Sequence, residues 1–279
     1  MAPLRPTGAK AFVGVSASTY RCFCNSKPVS GVFRCERSRS PRFLRHPFTS
    51  LDVVTGKMRL IAHRGFAATA PENTISAIER ASRRADEVTI DVRRCDSGEL
   101  VAIHDPTVDR VTDGTGAVCR HTLSELQSLT VLGEEQIPTL DAALQAVPPS
   151  VGVTLDLHEI GLAHDALRLA DRADVHVTVS SGIAHELEGC RGIAPEVPRA
   201  YRFDGDAEVG LEFARETDCA YLNPTVETCD GWLVATAHNE GFCVNAWGVG
   251  CQDDAAALES WGVDGVVADH PRIMPQARL

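Results

Sequence analysis

The chain has 279 residues, 44% of them hydrophobic and 23% charged, which is enough apolar mass for a large core and too much for a disordered or fibrous protein. No uninterrupted apolar run approaches the roughly 18 to 20 residues of a bilayer-spanning helix, so a helical integral membrane protein is excluded. A net charge of -11 argues against a protein that coats nucleic acid or anionic lipid, since both need a basic face.

The charge divides the chain. Residues 1–57 hold ten Lys or Arg against Glu36 and Asp52, a net of +8. This leader is rich in Ser and Arg, and its longest apolar patch, Ala11 to Val15, is too short for a secretory signal. It reads as a transit peptide, a basic disordered arm or a misassigned start; the abrupt change of composition at Met58 favours the last. Residues 58–279 hold 17 Arg, no Lys and 36 acids, a net of -19. A lysine-free acidic surface suits solubility in high salt, so a halophilic source is expected.

From Met58 onward, short β-branched runs alternate with amphipathic helical stretches. The first run, Leu60 to Gly65, precedes a helix at Thr74 to Arg84. Val88 to Arg94 and Leu100 to His104 follow, then helical stretches at Leu123 to Leu129 and Leu140 to Ala146. Next come Val151 to Leu157, a helix at Ala163 to Ala170, Val175 to Ser180 and Ala200 to Phe203. A helix at Ala207 to Arg215, a run at Cys219 to Leu222 and a helix at Trp232 to Asn239 lead to Phe242 to Val249. Asp253 to Trp261 and Gly265 to Ala268 close the series.

Nine strands are one too many for a TIM (β/α)8 barrel. Val88 to Arg94 and Leu100 to His104 are joined by Cys95 to Glu99 alone, whereas a parallel crossover needs a dozen residues or more. The pair must therefore be an antiparallel hairpin turning at Ser97-Gly98, and one member is an addition after the second barrel strand. Removing it restores eight. An open doubly wound sheet is the other architecture, but no glycine-rich nucleotide motif supports it. The expectation is one barrel domain over residues 58–279.

Chemistry in such barrels sits at the C-terminal ends of the strands. There the first run presents His63 and Arg64, the second Thr89 and Asp91 on one face, the third His104, and the fourth Asp156 and His158. Taken singly, each is a cap, a turn residue or a surface charge. Together, two carboxylates, an arginine fork and two of these histidines suit a phosphodiester. The carboxylates can share a cation, the guanidinium can neutralise the phosphate, and the imidazoles can move protons near neutral pH. Magnesium or calcium suits oxygen-rich ligands best.

The stretches Ala62-His63-Arg64-Gly65, Pro71-Glu72-Asn73-Thr74, Ala85 to Val92, Ile103-His104-Asp105 and Asp109-Arg110 resemble, in order and spacing, the glycerophosphodiester phosphodiesterases of the phospholipase C-like superfamily. Weaker likeness continues through Leu155 to His158, Ser180-Ser181, Ala246 to Val249 and Gly262 to Pro271. The resemblance implies a TIM barrel that hydrolyses glycerophosphodiesters to sn-glycerol 3-phosphate and an alcohol. His63 and His104 match its general acid and base. Arg64 matches the phosphate-binding arginine, Asp91 a metal-binding carboxylate, Glu72 a glutamate beside the site, and Trp247 a pocket-lining tryptophan.

Three departures stand out. Thr89 replaces the glutamate of Glu-x-Asp, and Asp156-x-His158 replaces Glu-x-Lys. Trp247-Gly248-Val249-Gly250 replaces Trp-Thr-Val-Asn. The expected metal set is thus Asp91, Asp156 and the hydroxyl of Thr89, weaker for a hard dication than three carboxylates. Glu87 faces the same way as Thr89 but lies too deep to substitute. His158 is a nitrogen ligand, a phosphate donor in place of lysine, or a rim histidine without a role.

Two activities remain open: a metal-dependent phosphodiesterase acting on a small phosphodiester substrate, or a degenerate barrel that binds a phosphate ligand with weak or no turnover. The cysteines read as reduced thiols, so a cytoplasmic location is expected. Nothing in the sequence suggests nucleic acid as a partner.

Overall fold

The computed structural model describes residues 57–133 and 135–274; the leader, apart from Lys57, lies outside the described residues. Nine strands form one sheet: β1 (Arg59–Ala62), β2 (Glu87–Arg94), β3 (Leu100–Ala102), β4 (Gly152–Leu157), β5 (Val177–Ser181), β6 (Arg199–Phe203), β7 (Tyr221–Pro224), β8 (Cys243–Val249) and β9 (Gly265–Ala268). β1 pairs in parallel with both β2 and β9, which closes a cylinder of eight parallel strands. The ninth strand, β3, pairs antiparallel with the outer half of β2 in the register Val92 to Ala102 and Arg94 to Leu100. The connecting turn closes through Gly98, whose φ of 101° requires glycine. The barrel with its hairpin addition is therefore as the sequence predicts.

Each barrel strand is buried on both faces. Val88, Ile90 and Val92 of β2 pack in the main hydrophobic core, while the alternate residues Glu87, Thr89 and Asp91 are also buried. The helices are α1 (Ile75–Ala81), α2 (Leu123–Ser128), α3 (Leu140–Gln145), α4 (Ala163–Ala173), α5 (Ala184–Ile193), α6 (Ala207–Glu216), α7 (Gly231–Asn239) and α8 (Gln252–Trp261). Helix α5 is absent from the sequence reading because Gly189 and Gly192 blur its apolar stripe. No helix among the described residues is long and apolar enough to cross a membrane.

The segment between β3 and α3 forms a lobe with its own small core of Val101, Ile103, Val108, Val111, Val118, Leu126, Val131 and Ile137. Within it, Thr122 and Glu125 form a reciprocal capping box at the start of α2. The lobe is built on the hairpin and carries His104.

Candidate active site

β1 ends at Ala62, earlier than predicted, because the chain then turns sharply through His63–Gly65. Arg64, Gly65 and Phe66 are consecutively left-handed, with φ of 51°, 80° and 65°. Two of the three are not glycine, so neighbours must hold the turn. The Arg64 N–H donates to Thr89 Oγ1 at 2.9 Å, and the Asn73 N–H donates to the Arg64 carbonyl at 3.0 Å. Thr89 thus secures the first motif's backbone. The turn leaves His63 at the rim, where its Nδ1 donates to Asp269 Oδ1 at 2.7 Å, just beyond β9.

His104 follows β3. Its Nδ1 donates to Asp105 Oδ1 at 2.6 Å, while Arg93 Nε grips its carbonyl at 2.6 Å. Arg110 donates from Nε to Asp105 Oδ2 at 2.6 Å and forks onto both oxygens of Glu72 at 2.8 and 2.7 Å. Glu72 also accepts from Arg64 Nη1 at 3.0 Å. Glu72 therefore ties the lobe that carries His104 to the turn that carries His63.

Asp91 and Asp156 are register partners on β2 and β4. Asp91 is fully enclosed: Asn73 Nδ2 donates to it at 2.8 Å, His158 Nε2 at 2.7 Å, and Arg64 Nε lies 3.0 Å from Oδ2. That Arg64 nitrogen is buried and pairs with Asp91 by charge without the alignment of a hydrogen bond. Asp156 is held by Arg202 Nε at 3.0 Å, and His158 Nε2 stands 3.6 Å from it. The rings of His104 and His158 meet edge to face at 4.8 Å. Trp247, on β8, donates Nε1–H to the Asn223 carbonyl at 3.0 Å, and its ring lies 5.8 Å from the Arg202 guanidinium. A bulge between Trp247 and Val249, with Gly248 at φ 78°, turns β8 there. Glu87 lies deep in the barrel, bound to Arg59 at 2.8 Å and to the Thr154 hydroxyl.

The model of the glycerophosphoryl diester phosphodiesterase family matches residues 63–273. The chain belongs to that family. It is 31% identical over 232 residues to a putative glycerophosphodiester phosphodiesterase of Bacillus subtilis, covering 77% of this chain and 95% of that one. A glycerophosphodiester phosphodiesterase of Caldanaerobacter subterraneus is 28% identical, with 78% and 96% covered. Among solved structures, an Oleispira antarctica phosphodiesterase in complex with the product sn-glycerol-3-phosphate superposes with a TM-score of 0.72 at 28% identity, covering 79% of this chain and 97% of that one.

The site of this phosphodiesterase-family barrel is electrostatically crowded. Burial pushes Asp91 up, but the His158 hydrogen bond and the Arg64 charge outweigh it and hold the carboxyl far below the usual range. Arg110, with a smaller contribution from His104, holds Asp105 down to about 2. His63 lowers Asp269. Burial lowers His104 although Asp91 and Asp105 act against it, which favours the neutral ring.

Asp91, His104 and His158 can each offer one ligand atom, and these atoms lie within 4.8 Å of one another, a possible metal site among the described residues. One carboxylate and two imidazoles form a nitrogen-rich set that fits a borderline divalent ion better than magnesium or calcium. Of the set expected from sequence, Asp91 belongs to this group, Thr89 accepts from the Arg64 backbone, and Asp156 is bound to Arg202.

Asp105, Arg110, Asn73 and Asp269 lie inside motifs visible in the sequence but have no assigned role there. Their functions depend on distances that spacing does not encode. Arg202 is missed altogether, though its place near the C-terminal end of β6 is the kind of position that carries function in barrels.

Proposed function

We propose that this protein hydrolyses glycerophosphodiesters to sn-glycerol 3-phosphate and an alcohol, with His63 and His104 as the proton-transfer pair. The observation that carries the reading is that each imidazole is tethered through Nδ1 to its own carboxylate, Asp269 or Asp105. A carboxylate at Nδ1 keeps the proton there and leaves Nε2 for the substrate. One Nε2 takes a proton from the attacking water as the water oxygen bonds to phosphorus. The other gives a proton to the departing alkoxide as the phosphorus–oxygen bond breaks. Arg64, with a buried Nε that lacks an aligned acceptor, would supply positive charge to the phosphoryl oxygens.

A divalent cation belongs to this proposal, with Asp91 common to the sequence-derived set and the gathered group. Bound at Asp91, and not through His104 Nε2, which moves the proton, magnesium, calcium or a softer ion would supply positive charge to the phosphoryl oxygens. A reducing cytoplasm and a salty milieu fit the free thiols and the acidic surface.

The test is release of sn-glycerol 3-phosphate from a panel of glycerophosphodiesters, at low and high salt, with magnesium, calcium or manganese. His63→Ala, His104→Ala and Asp91→Asn should each abolish it. No release from any substrate under any of these conditions would remove the proposal. A phosphate binder with little turnover is the second reading, favoured by the threonine at position 89. In that case Thr89→Glu should raise cation affinity or turnover.

A further inference from the structure

One arginine at the mouth has no part in the proton-transfer scheme. Glu87, Thr89, Asp91 and Arg93 alternate on one face of β2, so Arg93 stands two residues beyond Asp91 on the same side. Its side chain is 11% exposed, and both of its hydrogen bonds leave the strand. Nε donates to the His104 carbonyl at 2.6 Å, and Nη1 donates to Glu159 Oε1 at 2.8 Å. Glu159 is the residue after His158 in the loop that leads from β4 to α4.

Little else holds these two stretches of backbone to β2. The Ile103 N–H donates to the Asp91 carbonyl at 3.1 Å, but no backbone N–H among the described residues donates to the carbonyl of His104. The His158 N–H reaches the Val92 carbonyl only at 3.5 Å. One planar guanidinium therefore ties the backbone of His104 to the neighbour of His158, and the two rings meet edge to face at 4.8 Å. A guanidinium presents its donors in a rigid fork, so the groups it holds are fixed relative to each other. Glu159 neutralises it, and its contact with His104 is to the main chain. What Arg93 controls is where the imidazole stands.

Arg94 supplies the contrast. On the opposite face of β2, it donates to the Gly98 carbonyl at 2.8 Å and to the Gly161 carbonyl at 3.0 Å, and it lies 2.9 Å from Asp165. It ties the same loop to the same strand without touching His104.

We propose that Arg93 is a positioning residue for catalysis, a clasp that joins the His104 backbone to the loop after His158 and holds the His104 imidazole where proton transfer needs it. This rests on the phosphodiesterase reading above and adds to it the group that sets the place of the ring.

The test measures kcat and KM for sn-glycerol 3-phosphate release from glycerophosphoethanolamine. Arg93→Met should lower kcat about 10- to 100-fold, the loss that a displacement of about 1 Å brings, with KM within about twofold of wild type. Glu159→Ala opens the same clasp from its more exposed end, 30% exposed, and should lower kcat in the same sense. The double variant should be no slower than Arg93→Met, since both changes remove one clasp. Arg94→Met should keep the wild-type kcat. Hydrogen exchange reads the clasp without turnover: Arg93→Met should speed exchange in residues 103–106 and 158–161 together, Arg94→Met only in the second stretch. A kcat within about threefold of wild type in both Arg93→Met and Glu159→Ala, a rise in KM that accounts for the loss, or an equal fall in Arg94→Met overturns the positioning role. So does unchanged exchange at residues 103–106 in Arg93→Met. Absence of hydrolysis by the wild type, with both stretches loosened in Arg93→Met, would instead refute the phosphodiesterase reading and leave the clasp standing.

Discussion

Asp105→Asn is the sharpest probe of the proposed proton-transfer pair. Asp105 Oδ1 accepts from His104 Nδ1 at 2.6 Å, and Oδ2 accepts from Arg110 Nε at 2.6 Å. An asparagine amide has one oxygen for these two donors. If the oxygen faces Arg110, the NH2 group faces Nδ1 and drives the ring proton to Nε2, where a base is needed. If it faces His104, the NH2 group confronts a guanidinium. Loss of a correctly poised acid or base costs about 10²–10⁴ in rate, equivalent to about 3 to 5 kcal/mol in the barrier. The folded state loses far less. The Arg110 side chain is 48% exposed, and such rim pairs contribute about 0.2 to 1 kcal/mol. For a barrel of this size that is a fall in Tm of about 1 to 4 °C. The expected result is therefore a kcat for sn-glycerol 3-phosphate release lowered at least a hundredfold in a protein that melts almost normally. A kcat within about threefold of wild type would refute the assignment of His104.

Gly65→Ala should cost several kcal/mol, because a Cβ at φ 80° would sit 2.8 Å from the carbonyl carbon and the Cβ of Ala77; urea denaturation reads it, together with loss of activity from the displaced His63 turn. Acid should expose the Glu72–Arg110–Asp105 bridge. Asp105, depressed to about 2, contributes stability that is fully present above its unfolded value near ~4 and is lost as pH falls toward 2. Arg110→Met should flatten that stretch of the Tm-against-pH curve, and an identical slope in the variant would show that the bridge does not carry it. Burial pushes the Cys190 and Cys229 thiols up to about 12, whereas Cys251 is exposed. Peptide mapping after brief alkylation at pH 8 should find Cys251 modified and the other two protected until urea is added.

Much of the barrel is legible in the sequence because alternation of strand and helix is a local signal. The short Cys95 to Glu99 link excludes a parallel crossover by length alone. Of the lobe only the helical stretch at Leu123 to Leu129 is legible; the rest of its core joins Val101 to Ile137 across irregular chain with no period to detect. Within the site, residue types at strand ends point to His63, Arg64, Asp91, His104 and His158. The pairing of Asp156 with Arg202 is invisible, because it joins β4 to β6 across the mouth between residues 46 positions apart. Thr89 shows the same limit. Sequence registers it as a missing ligand, whereas the fold uses its hydroxyl to pin a left-handed turn.

The bridge through Glu72 joins two bodies that need not fail together. His63 rides on the cylinder, and His104 rides on a small annex with a separate apolar nucleus, joined to the cylinder by the β2–β3 ladder and by the guanidinium groups of Arg93 and Arg110. Marginal warming or dilute denaturant can therefore spring the annex while the cylinder stays closed, parting the two imidazoles without melting the molecule. Inactivation would then precede unfolding, and the protein's working temperature would be set by a few dozen residues rather than by its largest core.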